Sequence, residues 1–175
     1  SIIRHLEKIE IEPKLIPEGL KEASQVQIIE NWADTTLAQS IKIVFLEELS
    51  KNPKLISSLF SNKISDSMQK PLFNIPTKIA SQISGLINQK EKESLKLNLE
   101  NLSNLINQQN FLIGDKLSIA DISVASHLSL LKFPNSSGEN LTGQGCSIYV
   151  NDPSLQNLFK WRDFIEDQLA ITNHH

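Results

Sequence analysis

The chain has 175 residues, a formal net charge of −3 and one cysteine, and these values exclude several classes of protein. The 17 basic residues are scattered and form no stripe that tracks a phosphate backbone, so nucleic acid is not an expected partner. A single cysteine excludes an intrachain disulfide and a cysteine-based zinc site, which suits a reducing cytoplasm. No apolar run approaches the ~20 residues of a membrane-spanning helix, so no membrane is expected as a partner.

The first predicted element is a long amphipathic helix over residues 21–50. Apolar residues recur at helical spacing, and the segment contains no Pro or Gly until Pro53 ends it. The apolar stripe consists of Val26, Ile29, Ala33, Leu37, Ile41, Val44 and Leu49.

Two further helical stripes follow. One begins after Asn74 as a candidate cap and tolerates Pro76 because that proline falls in the first turn. The next repeats leucine or isoleucine at i, i+4, i+7 and i+11. The first stripe contains Leu72, Ile75, Ile79, Ile83 and Leu86, and the second contains Leu95, Leu99, Leu102 and Ile106.

The strongest local signal is FLIGDKLSIADI, residues 111–122. Ser118 and Asp121 stand at the spacing of a capping box, in which each side chain satisfies a backbone N–H at the start of a helix. Leu117 and Ile122 occupy the positions of a hydrophobic staple around the same helix start. The segment therefore predicts a rigid corner, followed by a buried central helix over residues 118–133 that Pro134 stops.

The C-terminal part predicts one more helix after a Gly-, Ser- and Asn-rich loop over residues 135–151. Asp152 followed by Pro153 is typical of an N-cap with proline at the first helical position. The residues predicted to face inward are Leu155, Leu158, Trp161, Ile165 and Leu169. Because no segment alternates with the period of a strand, the fold class is predicted to be all-α.

The histidines and the cysteine favour structural roles. The four histidines show no metal-ligand spacing, so no metal is expected. His127 shares a helical face with Val124 and Leu131 and is interpreted as a hydrogen-bonded core histidine. Cys146 follows Gly143 and Gly145 without an evident histidine partner, which favours a free thiol over a nucleophile.

The corner resembles the hallmark of the glutathione S-transferase C-terminal domain, where a Gly-Asp turn precedes S/T-x-x-D. Here the turn is Gly114-Asp115 and the motif is Ser118 to Asp121. The resemblance implies a glutathione S-transferase C-terminal-like helical bundle, in which Ser118 and Asp121 act as a structural cap and not in chemistry.

The opening SIIRHLEKIEIEPKLIPEG resembles the last helix of the family's thioredoxin-like domain and the interdomain linker. The resemblance implies a division into residues 1–20, the helix end and linker, and residues 21–175, the helical domain. In this register the family's glutathione-binding Glu/Asp-Ser pair precedes residue 1, so no catalytic residue is assigned. The chain by itself is then expected to be inactive and to lack the N-terminal domain.

The middle of the first helix resembles the theta-like pattern V-x5-W-x2-T-T-L, present here from Val26 to Leu37. In the family this helix lines the cleft for the acceptor substrate, which implies a binding site made of Gln27, Asn31, Trp32, Asp34, Thr35 and Ala38. Gln27 departs from the family, since a theta-like enzyme has an acidic residue there. Helical spacing places Asn31, Asp34, Thr35 and Ala38 on one face. The alternative is a solvated surface with Trp32 in the core.

The segments KFP at residues 132–134 and WRD at residues 161–163 resemble cyanobacterial and plastid-type glutathione transferase-like proteins. Arg162 and Asp163 are expected to form a salt-bridged or capping pair.

Together these resemblances imply the acceptor-substrate-binding domain of a cytoplasmic, homodimeric glutathione transferase that conjugates or reduces electrophiles, with glutathione as co-substrate in the intact protein. The expected partners are glutathione and an apolar electrophile, and detoxification is the implied role. The alternative is a non-catalytic glutathione transferase-like module for protein interaction, because fold alone does not decide function.

Overall fold

The computed structural model describes residues 14–60 and 89–172, and within these ranges the chain folds into helices. A π-helical turn occupies Ala33–Leu37, and 3-10 turns occupy Asn135–Ser137 and Pro153–Leu155. The described ranges contain no strand, so the all-α prediction is confirmed. The helices are α1 (Leu20–Trp32), α2 (Ala38–Lys51), α3 (Pro53–Phe60), α4 (Gln89–Ile106), α5 (Ile119–Leu128), α6 (Ser147–Val150) and α7 (Gln156–Thr172).

The long first helix is confirmed as α1, the π turn and α2 in succession. Its C-cap is Asn52, one residue before the proline that was expected to end it. Pro53 also begins α3, because a proline is well tolerated in the first turn of a helix. The stripe predicted over residues 72–86 and the cap and proline assigned to it lie outside the described residues.

The core is built around α5. This helix contacts α1, the π turn, α2 and α7, and it is buried on most sides, as the sequence predicted for the central element. Helix α4 packs its predicted leucine stripe inward against α2 and α7. Leu95, Leu99 and Leu102 are buried, and Ile106 is half-buried at the helix end.

The C-terminal end of α5 differs from the prediction. The helix ends at Leu128 and not at Phe133. The following backbone pairs with a later segment: the Phe133 N–H donates to the Gln144 carbonyl at 2.8 Å, and the Cys146 N–H donates to the Leu131 carbonyl at 2.8 Å. The proline that follows Phe133 also disfavours helical geometry at this residue, because its ring clashes with the backbone of the residue before it.

Gly145 permits this pairing. A Cβ atom at this position would lie 2.2 Å from the Leu131 carbonyl oxygen, and the residue has φ +151°. Gly145 therefore serves a close approach of two backbone segments. The loop predicted over residues 135–151 is thus partly structured, and it also contains the short helix α6.

The last helical segment begins at the predicted position, with the 3-10 turn Pro153–Leu155 that leads into α7. The Asp152 carboxylate accepts the Ser154 N–H at 2.9 Å, and Pro153 stands at the first helical position. Four of the five residues predicted to face inward are buried and Leu169 is half-buried; the four are Leu155, Leu158, Trp161 and Ile165.

Candidate functional site

The six residues predicted to bind the acceptor follow one another across the junction of α1 and α2. Asn31, Asp34 and Thr35 are exposed and Ala38 is half-buried, as expected for one accessible face. Gln27 is also exposed, about one turn earlier on α1. We call the surface formed by Asn31, Asp34 and Thr35 the polar face. Its position was predicted from the sequence, whereas its role in binding stays a prediction.

The π turn lies at the centre of the polar face. The Ala38 N–H donates to the Ala33 carbonyl, which is an i to i+5 hydrogen bond. The Thr35 hydroxyl donates to the Asn31 carbonyl at 2.6 Å. In a regular α-helix this carbonyl accepts a backbone N–H, so the side chain here uses an acceptor of the backbone. π-Helical turns within α-helices occur frequently at functional sites. No pattern in the sequence predicted this irregularity.

Asp34 is fixed by two side chains of α5. The Ser123 hydroxyl donates to Asp34 Oδ1, and His127 Nε2 lies 3.2 Å from the same oxygen. The Asp34 side chain is nevertheless 56% exposed, against 24% for His127. His127 is therefore hydrogen-bonded, as predicted, but it lies beside the polar face and not in the core. Ser123 was missed, although Ser123 and His127 stand at i and i+4 on one helix face.

Trp32 and Gln27 are not part of the polar face itself. Trp32 is half-buried and packs against the hydrophobic core. Its buried part therefore agrees with the alternative interpretation, in which Trp32 belongs to the core. Gln27 lines a cavity of about 230 Å³ together with Leu20, Glu30 and Ile119.

A larger cavity of about 830 Å³ lies between the segment before α1 and the loop before α5. None of the six predicted residues lines it. At its edge, Lys14 Nζ lies 2.7 Å from Glu18 Oε1. This hydrogen bond lowers the pKa of Glu18, and the charge of Lys116 acts in the same direction.

The capping corner before α5 is confirmed in detail. Ser118 and Asp121 form the predicted capping box. The fully buried Asp121 carboxylate accepts the Ser118 N–H at 2.9 Å, the Ser118 hydroxyl at 2.7 Å and the Leu112 N–H at 2.7 Å. Burial raises the pKa of Asp121, although these hydrogen bonds oppose the shift. All of these contacts are internal, so its role is structural.

The cysteine that was considered as a candidate for chemistry is buried. Cys146 is a free, buried thiol, and burial together with the charges of Glu48 and Glu47 raises its pKa to about 12. A thiol in this state is protonated at neutral pH and is not a nucleophile. Residues 14–60 and 89–172 contain no cluster of side chains suited to hold a metal ion.

The KFP and WRD segments meet at the end of α5. Arg162 Nε lies 2.8 Å from Asp163 Oδ1, which confirms the expected salt bridge. The buried Arg162 guanidinium also donates to the Lys132 carbonyl. Both cationic groups lie over the ring of Phe159, Lys132 Nζ at 5.3 Å and Arg162 Cζ at 5.8 Å from its centroid. These contacts join α7 to the segment that follows the C-terminal end of α5.

The all-helical architecture and the capping corner agree with the comparison to known families. The family model described as "Glutathione S-transferase, C-terminal domain" matches residues 79–170, which is more than half of the chain. The chain belongs to this family. Across the part of the chain that the structure describes, no helix is both long and apolar enough to cross a membrane.

A more particular similarity is to FtsZ-localized protein A from Caulobacter vibrioides. The two sequences are 23% identical over 133 residues, which cover 76% of this chain and 48% of the relative. The chain therefore spans about half the length of this curated relative. No solved structure matches the chain significantly.

Proposed function

We propose that the chain forms the acceptor-substrate wall of a glutathione transferase-type protein that conjugates or reduces electrophiles with glutathione. The observation that carries this proposal is the π turn at Ala33–Leu37. It falls within the segment whose sequence resembles the acceptor-binding helix of the family, and it does not depend on that resemblance. Within this turn, Asp34 and Thr35 are exposed and Leu37 is buried.

The polar face is suited to bind and orient a small molecule because its groups are held before a ligand arrives. Asp34 is fixed by Ser123 and His127, and Thr35 is fixed by the Asn31 carbonyl. Preorganised groups lose less conformational entropy on binding. The exposed part of Trp32 adds apolar surface at the edge of the face.

Activation of glutathione is proposed to come from a thioredoxin-like domain of the same protein. Within the described ranges, Tyr149 and Cys146 are both buried, and burial is the main cause that raises the pKa of each to about 12. Neither side chain is suited to polarise a thiol in solution. This chain would instead contribute proximity, by holding the acceptor beside the activated sulfur.

Trp32 fluorescence tests the proposed site directly. In a Trp161→Phe background, a planar apolar ligand such as naphthalene is expected to shift or quench the Trp32 emission saturably. Asn31→Ala and Thr35→Ala should weaken this binding, whereas Gln25→Ala, an exposed control on α1, should not. An emission spectrum that does not respond to any planar ligand would refute the site.

Acceptor kinetics test the activity. In the protein encoded by the full reading frame, Asn31→Ala and Thr35→Ala are expected to change kcat/KM for the acceptor while the KM for glutathione stays unchanged. Equal effects on both substrates would contradict a role confined to the acceptor.

The second candidate function is a non-catalytic module for protein interaction. The similarity to FtsZ-localized protein A favours this function, because the name of that protein states a localisation and does not name a reaction. The two functions differ in the residues upstream of this chain: a thiol-polarising Tyr, Ser or Cys followed by Pro and a Glu/Asp-Ser pair supports the enzyme. Reading the full frame and assaying glutathione turnover separates them.

Self-association is part of either proposal. On α1, Leu20 is 88% exposed and Ile28 is 68% exposed, which places two large apolar side chains on the surface. We expect a homodimer that uses this helix, and Ile28→Glu should weaken it. Sedimentation at high concentration checks this; a monomeric parent would contradict it. The sequence predicts that Ile2, Ile3 and Leu6 add to this surface, but these residues lie outside the described ranges.

A further inference from the structure

We propose that Asp34 selects acceptor substrates by charge, so that the polar face binds acceptors that carry an ammonium group or another strong hydrogen-bond donor and disfavours anionic acceptors. This inference rests on the proposed function and specifies the substrate class of the same site.

The geometry of Asp34 is that of a fixed acceptor. Both of its contacts, with the Ser123 hydroxyl and with His127 Nε2, are made by Oδ1. Ser123 is buried on α5, so this contact ties the exposed Asp34 side chain to the central helix. Oδ2 makes neither contact, and the side chain is more than half exposed. The carboxylate is thus held in one orientation and keeps an oxygen for a ligand.

The charged residues near Asp34 in the sequence of the first helix are all acidic. Between Lys21 and Lys42 the chain carries Glu22, Glu30 and Asp34 but no Lys or Arg. The ion pair formed by Asp34 is with His127, whose imidazole carries a charge only when protonated. A ligand donor would form a charge-assisted hydrogen bond with Asp34, and an anionic ligand would meet repulsion that no Lys or Arg of this stretch offsets.

The role of Ser123 follows from the same contacts. Ser123 does not reach the proposed ligand position itself, because its hydroxyl is used to hold Asp34 Oδ1 from α5. It acts as a positioning residue. Its removal leaves the charge of Asp34 in place but frees the side chain to rotate, so selectivity should fall without being lost.

Three ligands with one ring system test the inference on the Trp161→Phe chain. They are 2-naphthylmethylammonium, the neutral 2-naphthylmethanol and 2-naphthoate, each titrated against Trp32 fluorescence at about pH 8, where the ligand carboxylate is ionised. The ammonium ligand is expected to bind about tenfold more tightly than the carboxylate, with the alcohol between them.

Asp34→Asn should abolish this order while the affinity for the neutral alcohol stays within about twofold. Ser123→Ala should reduce the ratio of the two charged ligands to an intermediate value. The matched control is Asp115→Asn, an exposed aspartate in the loop before α5, which should leave the order unchanged.

The outcomes separate the two proposals. Equal affinities for all three ligands would overturn charge selection while the acceptor site stands, and so would an order that survives Asp34→Asn. The absence of any Trp32 response would instead overturn the site and, with it, the selection. If Asp34→Asn fails to fold by circular dichroism, the order measured on the parent chain and on Ser123→Ala still decides the question.

Discussion

Asp121 and Asp34 both accept a serine hydroxyl, yet their surroundings give them opposite roles. Asp121 is fully buried, and its carboxylate is used by Ser118 and by the Leu112 N–H. Asp34 is mostly exposed, and Ser123 and His127 use one of its two oxygens. A carboxylate whose acceptors are consumed inside the protein stabilises the fold, whereas one that is fixed but still exposed is available to a ligand.

The largest expected difference between the two aspartates is in stability. Asp121→Ala leaves two buried N–H groups, of Leu112 and Ser118, without their acceptor and should lower the free energy of unfolding by about 2–4 kcal/mol. Asp34→Ala should cost less than about 1 kcal/mol because its carboxylate is exposed. Urea unfolding measures both. Similar losses at the two positions would show that exposure does not separate their roles.

The two serines should repeat the difference on a smaller scale. Ser118→Ala removes the capping hydroxyl of α5 and is expected to cost about 1–2 kcal/mol. Ser123→Ala is expected to cost less than about 0.5 kcal/mol in unfolding free energy, since the partner it loses can bind water instead. Denaturant midpoints of both variants and the parent give the values. A midpoint for Ser118→Ala equal to that of the parent would show that the capping hydroxyl does not stabilise the corner.

The pH dependence sharpens the view of Asp121. Burial raises its folded pKa above the ordinary value of 3.8, so the native state keeps a proton that the unfolded state has already released. Between these two pKa values the stability should fall as the pH rises, and the loss is complete above the folded pKa. Asp121→Asn should remove this contribution, so the stability of the variant should lack this fall between the two pKa values. A parallel profile for the variant would contradict the raised pKa.

Cys146 extends the comparison to a buried group without a ligand role. Because its pKa is raised to about 12, mainly by burial, the native protein should not react at about pH 8 with an aromatic disulfide reagent such as Ellman's reagent. One thiol per chain should react after denaturation in urea, since the sequence has one cysteine. Rapid reaction of the folded chain would show that the segment around Cys146 opens and exposes the thiol.

The sequence was sufficient where short-range rules decide the structure. The corner was predicted because Ser118 and Asp121 satisfy each other over three residues. The helical start that leads into α7 was predicted because Asp152 and Pro153 are adjacent. The spacing of apolar residues likewise placed the long first helix and α4. None of these features depends on contacts between distant parts of the chain.

Long-range contacts account for what was missed. The early end of α5 depends on pairing between Leu131 and Cys146, which no local pattern encodes. The fixing of Asp34 depends on Ser123, 89 residues away. The bond from the Leu112 N–H to Asp121 likewise joins the loop before α5 to the first turn of that helix. The polar face could be located from the first helix alone, but the contacts that fix Asp34 come from α5.

The pairing near Gly145 has a consequence for engineering the chain. Because the backbone at Leu131 and Phe133 is bonded to Cys146 and Gln144, the residues between them form a loop closed at its base. Gly138, Glu139 and Asn140 are exposed at its far end. Extending such a loop costs little, since closure entropy grows only slowly with length. A peptide tag inserted between Glu139 and Asn140 would therefore leave the helices and the polar face in place.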